Sequence, residues 1–170
     1  QLTIQNTNVG VSAWVIAVQS GTNGANDVVL KNLAIVGQDP LTTLGGVSFG
    51  GATPGTAATV ANNGSQVVNC SFQRSIVGIY NAGVSAAVPN TGAVIKENSM
   101  AGTGTDRIRR VGILVFNQDG IEISENNIAG LDTNESADAI GIAVGTQGID
   151  TTVTTSGGIV NANVTRNRIS

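Results

Sequence analysis

Two stretches of the sequence hold the charged residues with which this chain could do chemistry. The stretches "AGTGTDRIRR" (101–110) and "AGLDTNESAD" (129–138) contain Asp106, Arg107, Arg109, Arg110, Asp132, Glu135 and Asp138. Carboxylates are ligands that Ca²⁺ prefers, and an arginine beside a metal-bound acid can act on a neighbouring proton. The alternative is that these side chains pair at a solvated surface, which contributes roughly 0–1 kcal/mol per pair. We favour surface pairing, because no other part of a catalytic set is visible.

The elements that must position these residues are short strands that recur along the chain. Hexads of the form apolar-x-x-Asn-x-apolar occur as "IKENSM" (95–100), "ISENNI" (123–128) and "VTRNRI" (164–169). The same apolar frame, without the asparagine, occurs as "IQNTNV" (4–9), "LKNLAI" (30–35) and "VVNCSF" (67–72). Between the hexads a second strand recurs as "GGVSF" (45–49), "VGIYN" (77–81), "VGILVF" (111–116) and "IGIAV" (140–144). Repeated short strands with insertions between them predict a solenoid, in which each coil buries the apolar face of its neighbour.

The composition limits the classes of protein to which the chain can belong. Of its 170 residues, 41% are hydrophobic, 3% aromatic and 11% charged, so the core must be built from Val, Ile, Leu and Ala. A net charge of −3 without clustered Lys and Arg argues against a nucleic-acid partner. A single cysteine excludes an internal disulfide framework. The longest apolar run, residues 11–18, is far shorter than the roughly 20 residues of a membrane-spanning helix.

The hexads and the Gly-Ile/Val strands resemble the right-handed parallel β-helix repeat of the pectate-lyase-like superfamily over nearly the whole chain. The resemblance implies an all-β solenoid, a right-handed parallel β-helix, and the six hexads predict about six coils. Residues 1–170 would form a single β-helix segment, cut from a longer chain and lacking its end caps. Because adjacent coils lie ~4.8 Å apart, the two charged stretches are expected side by side. Such coils occur in lyases, hydrolases, phage tailspikes and surface stalks, so the resemblance implies a fold rather than an activity.

Comparison of the hexads column by column predicts where the chain bends. The third column reads Asn6, Asn32, Asn69, Glu97, Glu125 and Arg166, and it must point outward. We place the bend there, because asparagine tolerates the left-handed backbone region. The fourth column reads Thr7, Leu33, Cys70, Asn98, Asn126 and Asn167, and it accepts apolar residues. Asn98, Asn126 and Asn167 are therefore predicted to form an internal amide ladder, and Cys70 to be a buried small hydrophobe.

Two functional hypotheses remain from the sequence. The leading one is a structural or adhesive segment of a secreted or cell-surface bacterial protein, a stiff spacer that displays surface loops. Its expected partners are carbohydrate, another cell-surface protein and further β-helix coils of its own chain, with neither nucleic acid nor a membrane span. The alternative is a carbohydrate-active β-helix enzyme or binding module that acts on acidic polysaccharide.

The resemblance gives the charged stretches a role only under the alternative. There they would match the residues with which β-helix pectate lyases hold Ca²⁺ and abstract a proton. The polygalacturonase-like pattern is missing, since the chain has no Asn-Thr-Asp, Asp-Asp, Gly-His-Gly or Arg-Ile-Lys and no histidine. We therefore predict no catalytic residue and no cofactor, with Ca²⁺ entering only under the alternative.

Overall fold

The computed structural model describes residues 1–10, 13–132, 138–146 and 157–170, and these residues form an all-β structure. A single turn of 3₁₀ helix covers Gly104–Asp106. The strands are, in chain order, β1 (Leu2–Gln5), β2 (Ala13–Gln19), β3 (Val29–Lys31), β4 (Leu33–Val36), β5 (Thr43–Gly50), β6 (Gln66–Val68), β7 (Ser71–Gln73), β8 (Ser75–Ala82), β9 (Asn90–Thr91), β10 (Val94–Lys96), β11 (Ser99–Met100), β12 (Ile108–Phe116), β13 (Gln118–Asp119), β14 (Glu122–Ser124), β15 (Asn127–Ile128), β16 (Ile140–Val144), β17 (Ile159–Val160), β18 (Asn163–Thr165) and β19 (Arg168–Ile169).

These strands stack into four parallel sheets that wind around one axis. Sheet 1 has the order β1-β4-β7-β11-β15-β19, sheet 2 the order β3-β6-β10-β14-β18, and sheet 3 the order β2-β5-β8-β12-β16. Sheet 4 is the short series β9-β13-β17. The chain passes from sheet 2 to sheet 1 and then to sheet 3, and each strand pairs in parallel with its equivalent in the next coil. The predicted parallel β-solenoid is therefore confirmed.

The number of coils is smaller than the six predicted. About four complete coils, beginning at β3, β6, β10 and β14, contain a strand from each of sheets 2, 1 and 3. Strands β1 and β2 form a partial coil before them, and β18 and β19 form another after them.

The first of the six predicted hexads is wrong. Ile4 pairs with Ile35 in sheet 1, whereas the hexad alignment had placed it beside Leu30 in sheet 2. Asn6 follows β1 instead of standing at a bend, and its N–H donates to the Val36 carbonyl at 3.0 Å. The other five hexads are in register, because their first residues pair in the order Leu30, Val67, Ile95, Ile123 and Val164.

The core consists of apolar columns that run along the axis from coil to coil. The largest fully buried side chains include Ile35, Phe72, Met100 and Ile128 in sheet 1, Ile95 and Ile123 in sheet 2, and Ile79 and Ile113 in sheet 3. Burial of a Val, Ile, Leu, Phe or Met side chain contributes about 1.5–3 kcal/mol, so these columns hold the coils together. Each strand pairs with its equivalents in the adjacent coils, as expected for a solenoid.

A column of glycines explains the repeated Gly-Ile/Val strand. Its members, one in each strand of sheet 3 from β5 onward, are Gly46, Gly78, Gly112 and Gly141. A Cβ at Gly112 would lie 2.6 Å from the Gly141 carbonyl oxygen and 2.9 Å from Cγ2 of Ile128. A Cβ at Gly78 would lie 2.7 Å from Sδ of Met100. Glycine is therefore required here because the large side chains of sheet 1 fill the space that a Cβ would take.

Candidate functional site

The predicted bend at the third hexad column is present in all five true hexads. Asn32, Asn69, Glu97, Glu125 and Arg166 have φ values of 58°, 51°, 59°, 58° and 54°. At each bend up to Glu125, the backbone N–H donates to a carbonyl of the next coil, at 3.0–3.2 Å. Hydrogen bonding between coils therefore continues through the bend, although the glutamates and the arginine occupy a backbone region that asparagine tolerates better.

The predicted asparagine ladder forms the interior of the same bend. The side-chain oxygen Oδ1 of Asn126 accepts from the backbone N–H and from Nδ2 of Asn98, both at 3.0 Å. Oδ1 of Asn167 accepts in the same way from the N–H of Asn126 at 3.0 Å and from its Nδ2 at 2.9 Å. Asn98 and Asn126 are each 1% exposed. Burial of these amides is tolerated because both polar atoms of each side chain have partners.

Carbonyl groups of the preceding coil complete the ladder. Nδ2 of each asparagine donates to the carbonyl of the first residue of the hexad before it: Asn98 to Val67 at 2.9 Å, Asn126 to Ile95 at 2.9 Å and Asn167 to Ile123 at 2.8 Å. The Nδ2 groups of Asn98 and Asn126 thus donate both to the next asparagine and to a carbonyl of the preceding coil, so the ladder joins the four coils from Val67 to Asn167.

Cys70 occupies the ladder position of the preceding coil, as predicted, and is 2% exposed. Its backbone N–H donates to Oδ1 of Asn98 at 3.0 Å, so the ladder begins at the Cys70 main chain. Burial raises the pKa of the Cys70 thiol. A buried, protonated thiol is a poor nucleophile, and Cys70 is therefore a packing residue.

A second left-handed column was missed by the sequence interpretation. It lies three residues before each hexad and consists of Asp27, Gly64, Gly92, Gly120 and Asn161, with φ values between 53° and 68°. The N–H of Gly64 donates to Thr91 and that of Gly92 to Asp119, at 2.8 and 3.0 Å. The sequence does contain a signal for this column, because all its members are Gly, Asn or Asp, the residues that adopt the left-handed conformation most readily.

A second group of buried amides lies beside this column. Oδ1 of Asn62 accepts from the Ala25 N–H, and Oδ1 of Asn90 accepts from the Asn62 N–H, both at 2.8 Å. Nδ2 of Asn90 donates to Oδ1 of Asn81 at 2.8 Å, and Nε2 of Gln118 donates to the Asn81 carbonyl at 3.2 Å. These four amide side chains are at most 1% exposed. Like the predicted ladder, they connect coils and are closed to ligands.

Charged side chains form a ridge on the outer surface of the bend at the third hexad column. Nζ of Lys96 lies 3.7 Å from Glu97 and 3.8 Å from Glu125. Nε of Arg166 donates to Oε1 of Glu125 at 2.9 Å. The hydrogen bond from Arg166 and the positive charge of Lys96 lower the pKa of the Glu125 carboxyl. The ridge therefore joins the last three hexads at the surface, as the ladder joins them inside.

Replacing Glu125 with glutamine should lower stability slightly at neutral pH and make no difference in acid. The pKa of Glu125 is lower in the folded protein than in the unfolded chain, so its ion pair stabilises the fold above the ordinary carboxyl pKa. That contribution is lost as the pH falls through the folded pKa. Urea midpoints of wild type and Glu125→Gln, measured across the acid range, should converge. The matched control is Glu97→Gln, since no described arginine pairs with Glu97; an equal pH dependence in both variants would contradict the prediction.

The structure places the two predicted charged stretches side by side, where Arg107 contacts Asp132. Nε of Arg107 donates to the backbone carbonyl of Asp132 at 3.2 Å, and its Nη1 donates to the Gly104 carbonyl at 2.7 Å. Asp106 instead faces the preceding coil, where Nε of Arg74 donates to its Oδ1 at 2.7 Å. Arg74 was not among the predicted residues. The geometry is that of side chains that fasten loops to neighbouring coils.

Two of the predicted loop arginines are not loop residues. Arg109 and Arg110 belong to β12, and Arg109 is buried, with 8% of its surface exposed. The strand begins earlier than predicted because Ile108 takes an interior position of the core. Asp138 is exposed, and Glu135 lies outside the described residues.

Within the part of the chain that the structure describes, no three His, Cys, Asp or Glu side chains are grouped so that they could hold a metal ion. Among the same residues, no helix has the length and hydropathy needed to cross a membrane.

The aromatic side chains of sheet 3 are packed instead of presented to a ligand. Trp14, Tyr80 and Phe116 form a row of edge-to-face contacts, with ring centroids 6.1 and 5.7 Å apart. Tyr80 and Phe116 are 4% and 1% exposed, and burial raises the pKa of Tyr80. Such pairs add about 0.5–1.5 kcal/mol beyond their buried area. The row therefore covers the outer face of the sheet.

Comparison of the chain with protein-family models, with curated proteins and with solved structures found no match in any of the three.

Proposed function

We propose that this chain is a structural or adhesive β-solenoid segment, a stiff spacer that displays surface loops. The observation that carries the proposal is the use of its polar side chains. Amides of the ladder, amides of the second buried group and the charges of the outer ridge are bonded to neighbouring coils. Side chains engaged in this way hold coils in register and are not available to a substrate.

Location outside the cell is part of the same proposal. The insertions 51–58 and 101–107 extend from the coils at the surface, where a spacer would present them to carbohydrate or to another cell-surface protein. The buried Cys70 has no access to oxidants, which suits an oxidising medium. A bacterial source and a pectate-lyase-like ancestry remain parts of the proposal that rest on the hexad pattern.

The apolar side chains at the two end layers support further β-helix coils as neighbours. Leu2 is 67% and Val29 is 52% exposed at one end, and Val164 is 44% and Ile169 is 55% exposed at the other. Leu2, Val164 and Ile169 continue interior columns through Leu33, Ile123 and Ile128, so an added coil would bury them at a gain of about 25 cal/mol per Å².

Stiffness is tested with spin labels at the two ends of one outer column. Lys31 and Thr165 occupy equivalent positions four coil spacings apart, at a backbone distance of about 19 Å. Cysteines at both positions in a Cys70→Ala background should give a narrow distance distribution in electron double resonance. A broad distribution, at a pH and temperature where the protein is folded by circular dichroism, would contradict the spacer.

The enzymatic alternative is tested by polygalacturonate cleavage in the presence of calcium. We expect neither unsaturated product nor new reducing ends, because Arg107 is bonded to backbone carbonyls and Asp106 to Arg74. The controls are Arg107→Ala, which changes the predicted charged stretch, and Lys31→Ala, which lies in sheet 2. Turnover that is abolished by Arg107→Ala and kept by Lys31→Ala would replace the structural proposal.

A further inference from the structure

The sequence contains two Asn-Gly dipeptides, Asn23-Gly24 and Asn63-Gly64, and the two differ in the hydrogen bonds that they make in the structure. We propose that Asn23 is a site of spontaneous deamidation in the folded protein and that Asn63 is protected. The dipeptides are matched in chemistry, since each asparagine precedes a glycine with positive φ, 77° at Gly24 and 64° at Gly64. The difference in reactivity therefore comes from the hydrogen bonds that the fold gives to each.

The reaction needs no enzyme and no cofactor. The backbone nitrogen of the glycine loses its proton and attacks Cγ of the asparagine to form a C–N bond; the Cγ–Nδ2 bond breaks, and the side-chain nitrogen takes up a proton and leaves as ammonia. Water then opens the resulting cyclic imide at one of its two carbonyls, giving aspartate or isoaspartate. Glycine in the following position favours the attack because it has no Cβ to obstruct the approach. The attack requires a backbone nitrogen and an amide carbon that are free to move toward each other.

Asn23 meets this requirement. Its side chain is exposed, and it ends the turn 21–23 that connects β2 to β3. Among the described residues, the one hydrogen bond found at Asn23 goes to its backbone carbonyl, from Nδ2 of Asn26 at 3.3 Å. Within the same described ranges no hydrogen bond is found for the Gly24 N–H or for the Asn23 side chain, so neither reacting group is held by a bond, although Gly24 packs against the Ala61 carbonyl and the Ala25 N–H donates to Oδ1 of Asn62 at 2.8 Å.

Asn63 is restrained at each of the corresponding atoms. Its Oδ1 accepts from the Thr91 N–H at 2.9 Å, and the Gly64 N–H donates to the Thr91 carbonyl at 2.8 Å. Its own N–H donates to Oδ1 of Asn26 at 2.9 Å, and its carbonyl accepts from Asp27 at 2.8 Å. The attacking nitrogen and the side chain are thus both held by the neighbouring coil. Reaction at Asn63 therefore requires that this coil open first.

Deamidation at Asn23 changes the charge of one edge of the solenoid. The product makes the protein one unit more negative, and isoaspartate adds a methylene to the main chain just before Gly24. Gly24 lies against the Ala61 carbonyl, where even a Cβ would come within 2.2 Å of the oxygen. The modified chain must therefore adjust within the exposed turn and not within the coil.

The test is peptide mapping by mass spectrometry of the full chain, incubated in mildly alkaline buffer at body temperature, with a parallel incubation in urea. We expect Asn23 to convert in the folded protein at a rate within about threefold of its rate in urea. Asn63 should convert roughly tenfold or more slowly folded than unfolded, which corresponds to an opening cost of about 1.4 kcal/mol or more.

The matched variant is Asn23→Gln, which keeps the amide but forms the cyclic imide far less readily. It should remove the acidic species that ion exchange separates from the aged wild type. The proposal is overturned by an acidic species that persists in Asn23→Gln. It is also overturned by Asn23 remaining intact in the folded chain while it converts in urea, or by equal rates at Asn23 and Asn63 in the folded protein.

Discussion

Replacing Asn126 with aspartate should lower the free energy of unfolding by about 3–5 kcal/mol at neutral pH, because it leaves a buried charge without a cation. One carboxylate oxygen would keep the two donors of Asn98. The other would replace Nδ2 and face the oxygens of Ile95 and Asn167, now 2.9 Å away. Protonation relieves this repulsion, so the pKa of the new carboxyl should be raised in the folded state. The loss should therefore be smallest below the unfolded aspartate pKa of about 3.9 and grow as the pH rises.

Asn126→Leu should be milder, at about 2–3 kcal/mol and independent of pH. Leucine carries no charge, and Leu33 already occupies the same column, but the Asn98 N–H and the Ile95 carbonyl lose their partner. Urea unfolding of both variants at neutral and acidic pH measures the two effects. The control is Asn23→Asp, an exposed position where the same change should cost little. Equal urea midpoints for wild type and for both Asn126 variants would show that the ladder does not stabilise the fold.

Gly112→Ala should cost about 3 kcal/mol or more, because the added methyl group meets a backbone carbonyl of the next strand as well as the fully buried side chain of Ile128. The added Cβ would lie 2.6 Å from the Gly141 carbonyl oxygen and within 3.0 Å of two carbons of Ile128. Relief requires β12 and β16 to move apart, which breaks the contact between two coils.

Gly120→Ala provides the control for this substitution. Gly120 has φ +68°, and no described atom lies within 4 Å of the position that an added methyl group would take. The cost of Gly120→Ala is therefore the backbone term of about 1–2 kcal/mol. The denaturation midpoint of Gly112→Ala should lie clearly below that of Gly120→Ala. Equal midpoints would mean that the sheets tolerate a larger separation than the glycine column indicates.

The ladder and the first bend could be predicted because their columns have opposite composition. A column with Glu97, Glu125 and Arg166 cannot be buried, and one with Leu33 and Cys70 is poorly placed at a solvated surface. Once five hexads are aligned, these two constraints assign the outward bend and the inward amides without any knowledge of the coil. The physical signal is strong because every coil repeats it.

The first hexad was wrong because a frame of apolar residues does not identify the strand with which it pairs. Ile4 is apolar at an alternating position in either alignment, and the pairing of Leu2 with Leu33 is decided by neighbours that a single strand does not reveal. The second bend was missed for a different reason. Glycines such as Gly64 and Gly92 lie between the recurrent strands, where glycine is common in turns, and their constant spacing of three residues before each hexad is visible only once the hexads are aligned.

The charged residues were the least predictable part of the chain. Adjacent loops were correctly expected for Arg107 and Asp132, since coil spacing follows from the repeat. The partner of Asp106 is Arg74, one coil earlier, and sequence distance gives no preference between the coil before and the coil after. Small differences in solvation free energy decide which of several neighbouring groups a flexible charged side chain pairs with. The pattern of residue types along the sequence does not contain this information.

The equal spacing of the middle hexads allows the gene for this chain to gain or lose whole coils. Val67, Ile95 and Ile123 are separated by the same 28 residues and pair directly with one another. Recombination that duplicates or deletes one 28-residue unit would join a coil to a neighbour with the same apolar, glycine and asparagine positions. The length of the solenoid can therefore evolve in whole steps of one coil, while the insertions between strands diverge independently in sequence and size.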